Sequence, residues 1–367
     1  RRSVVIFFIV LILYYIGLLV VYPLSKNFIA SLFPEKDPPT LLYGALPPLE
    51  FVEKEITNSN APKFNLDTKD GKLPSDFPVK ITVYKVESPI PSFEKGRNAV
   101  DTAAYLGYKD EDLVSSLKET VYRWRNLNSN GILEINTDTR AVVLKTNLSG
   151  KSSLYPEAEL TKNSAEQVAK KLFEATQRFT DPLYKEGTVT VNFGKFSGTR
   201  IISTKTTIDS QIARVDFFRN INEYPILGPD PKEGLLYTYL RKPDSDQPYY
   251  NYPIMESHTT NIQTQSNATY PTLPISQAWN VVSQNKGVIV NITPKGSNNI
   301  VEYTPLKIEE IYIQDIYLAY YDTPNAQSYL QPIYVFEGTY TTAGTQGGNI
   351  VLYYPAITPE NIQTPQN

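Results

Sequence analysis

The sequence has no cysteine, and its 367 residues include one histidine, His258, and one methionine, Met255. Without cysteine the chain can form no disulfide, no thiolate nucleophile and no cysteine-ligated zinc site. A single histidine cannot build a multi-histidine metal site, and we interpret His258 as an exposed imidazole in a polar segment. We therefore predict no catalytic residue, no metal and no cofactor. The absence of cysteine also favours a bacterial envelope over a eukaryotic secreted setting, where disulfides are usual.

An excess of charge of one sign is also missing. The net charge is -3 at pH 7 and the sequence pI is about 5.5, with acidic and basic residues interspersed. A nucleic-acid binder needs a basic patch or stripe, so we predict no nucleic-acid partner. Tyrosine is abundant instead, at 27 residues, which favours half-buried strands over helical bundles.

One long apolar run is present at residues 4–22. A helix of that length spans about 28 Å, close to the ~30 Å hydrocarbon core of a bilayer. Arg1 and Arg2 before the run predict a cytoplasmic N-terminus and a C-terminal domain outside. We therefore predict a single-pass protein of the cytoplasmic membrane with residues 1–25 as its signal anchor; a cleaved signal peptide and a helix buried in a soluble core are the alternatives. The residues predicted to contact the lipid bilayer are Val4, Phe7, Phe8, Leu11, Tyr14, Tyr15, Leu18, Val21 and Tyr22.

Beyond this run the pattern predicts an α+β fold of three units, each a short helix packed on an antiparallel sheet. Residues 26–72 are rich in proline and are therefore predicted to form an extended stalk. The apolar side chains scattered through this segment predict that it packs against its own domain, a sister chain or a partner. The predicted units are residues 73–155, 156–242 and 274–356, with a polar bridge at 243–273 and a tail at 357–367.

The strongest helix signal lies in the second unit. Ser164 has the position of an N-cap with Gln167 three residues on, and apolar residues then recur at helical spacing up to Phe179. Two further helices are predicted near residues 97–106 and 276–284.

One predicted strand, residues 307–321, is irregular. Its apolar alternation changes from Ile311 and Ile313 to Ile316 and Leu318, a slip of one residue. Such a slip predicts a β-bulge in the strand.

The third unit resembles a known type of domain. Its helix opens with SQAW at residues 276–279 and is followed by Gly287, the strand IYLAYY at 316–321 and the run YLQPIYVFEG at 329–338. These residues resemble PepSY-like domains, most of all those of bacterial single-pass regulators beside a cell-wall-sensing histidine kinase (the YycH/YycI type). Residues 213–227 are similar to the corresponding strand and turn. The resemblance implies a non-catalytic role, with contacts to another membrane protein or a peptidase.

Carboxylates are the only abundant reactive groups. Residues 110–112 read as the acidic first turn of a short helix. Glu309, Glu310 and Asp315 could form a carboxylate pair for glycan cleavage, although a solvated strand face is the preferred interpretation. The glycine-rich run 344–349 lacks the following Lys-Ser/Thr of a phosphate loop, so we predict a hairpin turn.

The preferred hypothesis is a non-catalytic, membrane-anchored interaction module, regulatory or scaffolding, that docks on another envelope protein outside the cytoplasm. One alternative is a structural subunit of a large assembly built from copies of itself. Another is a protein that binds or cleaves cell-wall glycan. The predicted partner interface consists of apolar stalk residues and clustered tyrosines: Leu41, Leu42, Tyr43, Leu46, Phe51, Tyr249, Tyr250, Tyr252, Tyr320 and Tyr321.

Overall fold

Pairing between strands that are distant along the chain organises this fold. The computed structural model describes residues 37–87, 93–115, 120–157, 159–205, 207–242, 248–258 and 260–364. Contacts divide the chain after Thr40, and residues 41–367 form one unit that holds the helices and strands described below.

The predicted transmembrane helix is not found. No helix among the described residues has the length and apolar character needed to cross a bilayer. The predicted anchor positions themselves lie outside the described residues: Val4, Phe7, Phe8, Leu11, Tyr14, Tyr15, Leu18, Val21 and Tyr22. A membrane-spanning segment is therefore not part of the fold described here.

Eighteen strands and four helices make up the described chain. The strands are β1 Lys63–Leu66, β2 Lys80–Glu87, β3 Leu113–Ser115, β4 Val121–Asn126, β5 Gly131–Asn136, β6 Val142–Thr146, β7 Val189–Ser197, β8 Arg200–Thr204, β9 Ile212–Phe217, β10 Arg219–Ile221, β11 Tyr224–Leu227, β12 Leu236–Leu240, β13 Ile254–Ser257, β14 Asn261–Pro271, β15 Val288–Pro294, β16 Glu310–Tyr321, β17 Tyr329–Thr342 and β18 Thr345–Pro355. The helices are α1 Phe93–Tyr105, α2 Lys162–Ala175, the single turn α3 Pro248–Asn251, and α4 Ile275–Val281.

The first sheet, here sheet I, is antiparallel throughout. Its nine strands run in the order β3-β4-β5-β6-β13-β12-β9-β7-β8. Helices α1 and α2 pack on one face, where Ala99 and Leu172 contact Leu144 and Val215 in a buried hydrophobic core. These helices bury one apolar stripe each against the sheet, as amphipathic surface helices do.

The second sheet, sheet II, also has nine strands, centred on the order β10-β11-β16-β17-β18-β15, with β1 beside β16 and β2 joining β14 to β17. Helix α4, which includes Trp279, covers one face of this sheet, while Leu49 and Phe51 pack on the other face. The predicted β-bulge in β16 is confirmed, because its register with β17 shifts between Ile313 and Asp315. With both faces covered, β17 is buried without interruption from Leu330 to Phe336, a stretch that includes Gln331.

The predicted α+β fold of three helix-on-sheet units is wrong. The described chain is mainly β and forms two sheets. The first two predicted units each contribute strands to both sheets, whereas the strands of the third all lie in sheet II. The predicted polar bridge, residues 243–273, contains β13 of sheet I and β14 of sheet II. Local alternation identified many strands, but it carries no information on which strands pair over long distances.

Two local predictions also change. Thr161, not Ser164, is the N-cap of α2, and its side-chain oxygen accepts a hydrogen bond from the Ser164 backbone N–H. The segment predicted as a stalk lies along sheet II from residue 41 onward. Leu46 is fully buried and pairs with Ile362, and the Lys54 backbone N–H donates to the carbonyl of Ile289 at the edge of β15.

Candidate interaction surface

Four of the residues predicted to contact a partner lie in the core. Leu46 is 0% exposed, Tyr320 and Tyr321 are 1% exposed, and Tyr249 is 5% exposed. The Tyr320 hydroxyl donates to the carbonyl of Thr82 and the Tyr321 hydroxyl to that of Glu50. These tyrosines pack inside the protein and satisfy their polar tips there, so the prediction of an interface role is wrong for them.

Other predicted interface residues are partly covered. Tyr43 stacks on Tyr329 with ring centroids 4.8 Å apart, and Phe51 packs edge-on against Tyr321. Tyr250 and Tyr252 pack against the core of sheet I. Only the neighbours Leu41 and Leu42, 40% and 71% exposed, present large apolar surface to solvent.

A larger exposed surface lies on sheet I, on the face opposite α1 and α2. We call it the open face; it comprises Val114, Arg123, Arg125, Ile132, Glu134, Val143, Lys145, Ile254 and Glu256. Strand alternation places these side chains on one side because their neighbours point into the helix-covered core. Val114 is 62% exposed and Ile132 is 42% exposed.

The open face has an ordered pattern of cations and apolar residues. Arg125, Ile132, Lys145 and Ile254 are direct cross-strand neighbours on β4, β5, β6 and β13. In the adjacent row Arg123 pairs with Glu134, whose Oε1 is 2.6 Å from the arginine Nε. Arg125 has no ion-pair partner among the described residues.

The rest of the same face is covered by residues 298–301 of the sheet II side. Ile300 packs there against Tyr155, Ile212 and Tyr239. Ile254 packs against this cluster and Glu256 is 17% exposed, so these two residues form the border of the open face, and the protein's own chain leaves the rest of it more exposed.

Beneath residues 298–301 a buried ion pair joins the two sheets. The guanidinium of Arg214 makes hydrogen bonds of 2.8 to 3.0 Å to the carboxylate of Asp216, and both residues are at most 3% exposed. Asp216 also accepts from the Gly234 backbone N–H and from Asn299 Nδ2, each at 3.0 Å. Burial alone would lower the pKa of Arg214, but Asp216 and Glu233 raise it above its ordinary value. The guanidinium is thus held charged.

A second buried pair joins the sheets at β10. Arg219 donates to Asp181 at 2.8 Å and contacts the carboxylate of Asp322, which is 0% exposed. Asp322 also accepts from the Thr260 hydroxyl at 2.6 Å and from Gln327 Nε2 at 2.7 Å. Both carboxylates are satisfied, which makes this cluster a structural link rather than a reactive site.

No known protein family matches this chain, and no curated protein does. Among solved structures, a crystal structure at 1.45 Å of an uncharacterized protein from Eubacterium rectale ATCC 33656 is similar, with a TM-score of 0.44 and 12% sequence identity. The similarity covers 81% of this chain and 88% of that chain. A likeness of this degree carries no functional information, so function has to be inferred from the residues themselves.

The candidate catalytic carboxylates are occupied by local contacts. Glu309 accepts from the Gly344 backbone N–H and from Lys307, and these contacts lower the pKa of its carboxyl. Glu310 accepts from the Tyr312 hydroxyl and pairs with Lys63, and these contacts lower its pKa as well. Asp315 accepts from the backbone N–H of Ile316. The described residues hold no metal-ligand cluster, and their two best-formed cavities, of about 20 and 10 Å³, are too small for a sugar ring.

His258 is placed differently from its prediction. Its side chain is 17% exposed, and Nε2 lies 3.3 Å from Glu256 at the border of the open face. Burial raises the pKa of Glu256, but hydrogen bonds from His258, Lys145 and Tyr237 outweigh it and lower this pKa to about 2. A carboxylate held ionised in this way suits an electrostatic contact and not a general acid.

Proposed function

We propose that the protein is a non-catalytic interaction module that docks a partner protein on the open face of sheet I. The observation that carries this proposal is the cross-strand row of Arg125, Ile132, Lys145 and Ile254, which alternates charge and apolar surface and is exposed from Arg125 to Lys145. Protein interfaces combine such apolar surface with arginine at their centre.

The charges of this row define the chemistry of the partner. Arg125 lacks an ion-pair partner among the described residues, and Lys145 is 66% exposed although it reaches Glu256 at 3.0 Å. A complementary surface would present apolar side chains flanked by carboxylates, because opposite charges guide encounter and fix register.

Two further observations support docking over catalysis. Two of the three carboxylates considered for glycan cleavage, Glu309 and Glu310, are held in ion pairs with lysines, and the best-formed cavities of the described chain are too small for a sugar ring.

Site-specific photocrosslinking tests the proposal. A benzoylphenylalanine placed at Ile132 in cells of the source organism is expected to give a discrete adduct with another protein. Val114→Asp in the same chain should abolish that adduct, because a carboxylate there opposes burial of the open face.

The matched control is Ile208, which is 75% exposed in the turn before β9. Benzoylphenylalanine at Ile208 should give no such adduct, and Ile208→Asp should leave the Ile132 adduct unchanged. Equal labelling from both positions, or none from Ile132, would contradict the proposal. An adduct with the mass of two copies of this chain would instead support the self-assembling structural subunit.

A further inference from the structure

A small cavity lies where the end of α2 meets the turn between β5 and β6, on the helix-covered side of sheet I. Its volume is about 20 Å³. Two arginines line it, Arg178 after α2 and Arg140 in the turn, together with the neutral polar residues Asn98, Asn136, Thr137 and Thr176.

Arg178 is a buried charge without a counter-ion. The residue is 5% exposed, its Nη1 donates to the carbonyl of Arg140 at 2.6 Å, and its Nε is buried without a hydrogen-bond partner. No carboxylate among the described residues forms an ion pair with it. Buried arginines are almost always paired, because an uncompensated buried charge costs several kcal/mol.

The neighbouring groups add to the uncompensated positive charge at Arg178. Burial and the neighbouring guanidinium of Arg140 lower the pKa of Arg178 to about 10, so both groups are charged at neutral pH. The end of α2 supplies little compensation by hydrogen bonding, since the Leu172 carbonyl accepts from Thr176 and the Phe173 carbonyl accepts from the Arg178 backbone N–H.

The backbone on both sides of the cavity is held in an unfavourable conformation. Arg140 has φ +61° and Gln177 has φ +57°, in the left-handed region that costs a non-glycine residue roughly 1 kcal/mol. Arg140 Nη2 donates to the Gln177 carbonyl at 3.2 Å, which joins the two strained positions. Strained residues of this kind concentrate at ligand sites.

We propose that one oxyanion group, a phosphate or a carboxylate, binds at the mouth of this cavity with its oxygen atoms directed between Arg178 and Arg140. Guanidinium groups match the planar pairs of oxygens in carboxylate and phosphate and bind them with two parallel hydrogen bonds. The side-chain amides of Asn98, Asn136 and Gln177 line the cavity as further polar groups, whereas the hydroxyls of Thr137 and Thr176 already donate to backbone carbonyls. The carboxylate of the same turn, Asp138, does not line the cavity and pairs with neither arginine.

Titration of the full chain with sodium phosphate and, separately, with sodium acetate tests the proposal and distinguishes the two anions. The readout is the Nε–Hε nuclear magnetic resonance signal of Arg178, with sodium chloride at equal ionic strength as reference. A saturable shift with phosphate or acetate, beyond the chloride reference, is expected. The same anion should raise the melting temperature in a concentration-dependent way, because a ligand that binds only the folded state stabilises it.

Variants assign the effect to the site. Arg178→Met should fold, since it removes a buried unpaired charge at similar volume, and its melting temperature should no longer respond to the anion. Arg140→Gln should weaken binding about tenfold, the effect of losing one charge-assisted hydrogen bond. Arg200→Gln, at an exposed arginine that begins β8 and lies in neither proposed site, should bind as the unchanged protein does. Failure of both anions to shift the signal beyond chloride, or a response retained in Arg178→Met, would overturn the proposal.

Discussion

At the scale of single residues, the buried charges set the strongest constraints. Arg214 and Asp216 lie two positions apart on β9 and therefore share the face turned toward sheet II. Removing one member of a buried pair leaves an uncompensated charge, whereas replacing both by apolar residues is often neutral. Through Asn299, the pair connects residues 298–301 to β9. Its effect on stability comes mainly from the free-energy cost of leaving one charge buried alone when the other is removed.

We predict that Asp216→Ala lowers the free energy of unfolding by about 3–5 kcal/mol, because Arg214 then remains buried without its main partner. The double variant Arg214→Met with Asp216→Leu should cost much less. Urea unfolding monitored by circular dichroism measures both values. As a control, Glu134→Ala breaks the exposed pair with Arg123 and should cost no more than about 1 kcal/mol. A double variant as unstable as Asp216→Ala would contradict this interpretation.

Glu256 predicts a pH dependence of stability. Its pKa is lowered to about 2 in the folded state, against about 4.3 in an unfolded chain. A lowered carboxyl pKa stabilises the fold above the unfolded value, and this contribution is lost as the pH falls from about 4.3 toward 2. Unfolding of Glu256→Gln should therefore show a smaller loss of stability over that interval, by roughly 2 kcal/mol.

The control for this comparison is Glu302→Gln, a change at an exposed glutamate. Its stability should follow the unchanged protein across the same acid range. If Glu256→Gln loses stability as steeply as the control, the carboxylate does not make the stabilising contacts described here.

At the scale of elements, local sequence patterns predicted where strands and the β-bulge lie, but not which strands pair with each other. β5 and β17 have strong apolar signals, and the alternation slip at Ile313 correctly indicated the bulge in β16. The 14-residue β17 lies between β16 and β18 along most of its length, and the continuous burial of residues 330–336 reflects its two covered faces.

Other elements carried weak signals. β14, NIQTQSNATYP, is polar because part of it is exposed, and its pairing with β2 shifts between Gln263 and Asn267. Such a strand is defined by its neighbour rather than by its own periodicity. The candidate surface was missed for a related reason: Ile132 and Val114 look like core residues in sequence, and Tyr320 looks like an interface residue.

The bulge in β16 predicts a strict requirement for glycine at the facing position of β17. A Cβ on Gly338 would lie 1.9 Å from the backbone carbonyl oxygen of Tyr312, which the bulged strand cannot move aside without losing its pairing. We expect Gly338→Ala to lower the free energy of unfolding by more than about 3 kcal/mol, measured by urea unfolding.

Gly96→Ala is a control that we expect to raise the free energy of unfolding rather than lower it. A Cβ there would meet only the hydroxyl end of Tyr122 at 3.2 Å, and alanine favours the interior of α1 by up to about 1 kcal/mol. A Gly338→Ala protein as stable as Gly96→Ala would show that β16 and β17 do not approach each other as described.

At the scale of the whole described unit, the chain crosses between the sheets repeatedly. It passes from sheet I to sheet II at Phe218, returns between β11 and β12, and leaves again between β13 and β14. The ion pairs of Arg214 and Arg219 lie beside these crossings. Because the chain alternates between the two sheets, neither sheet is built from one continuous segment. We therefore expect residues 41–367 to unfold as one cooperative unit.

The interlocking of the two sheets also positions both proposed sites. Residues 298–301 from the sheet II side set the border of the open face, and the cavity of Arg178 lies on the opposite side of sheet I. If the sheets were independent, the border of the open face would vary and the docking proposal would lose its defined surface.

The most direct measurement of this interlocking uses the two tryptophans, Trp124 in β4 of sheet I and Trp279 in helix α4, which packs on sheet II. Trp124 is 2% exposed in the core of sheet I, and Trp279 packs in sheet II with its ring centroid 6.2 Å from that of Phe336. In Trp279→Phe the fluorescence reports sheet I, and in Trp124→Phe it reports sheet II, each compared with circular dichroism on the same urea-unfolding sample. We predict that within each variant the fluorescence and circular dichroism transitions coincide. A variant whose fluorescence transition is separate from its circular dichroism transition would contradict the interlocked fold.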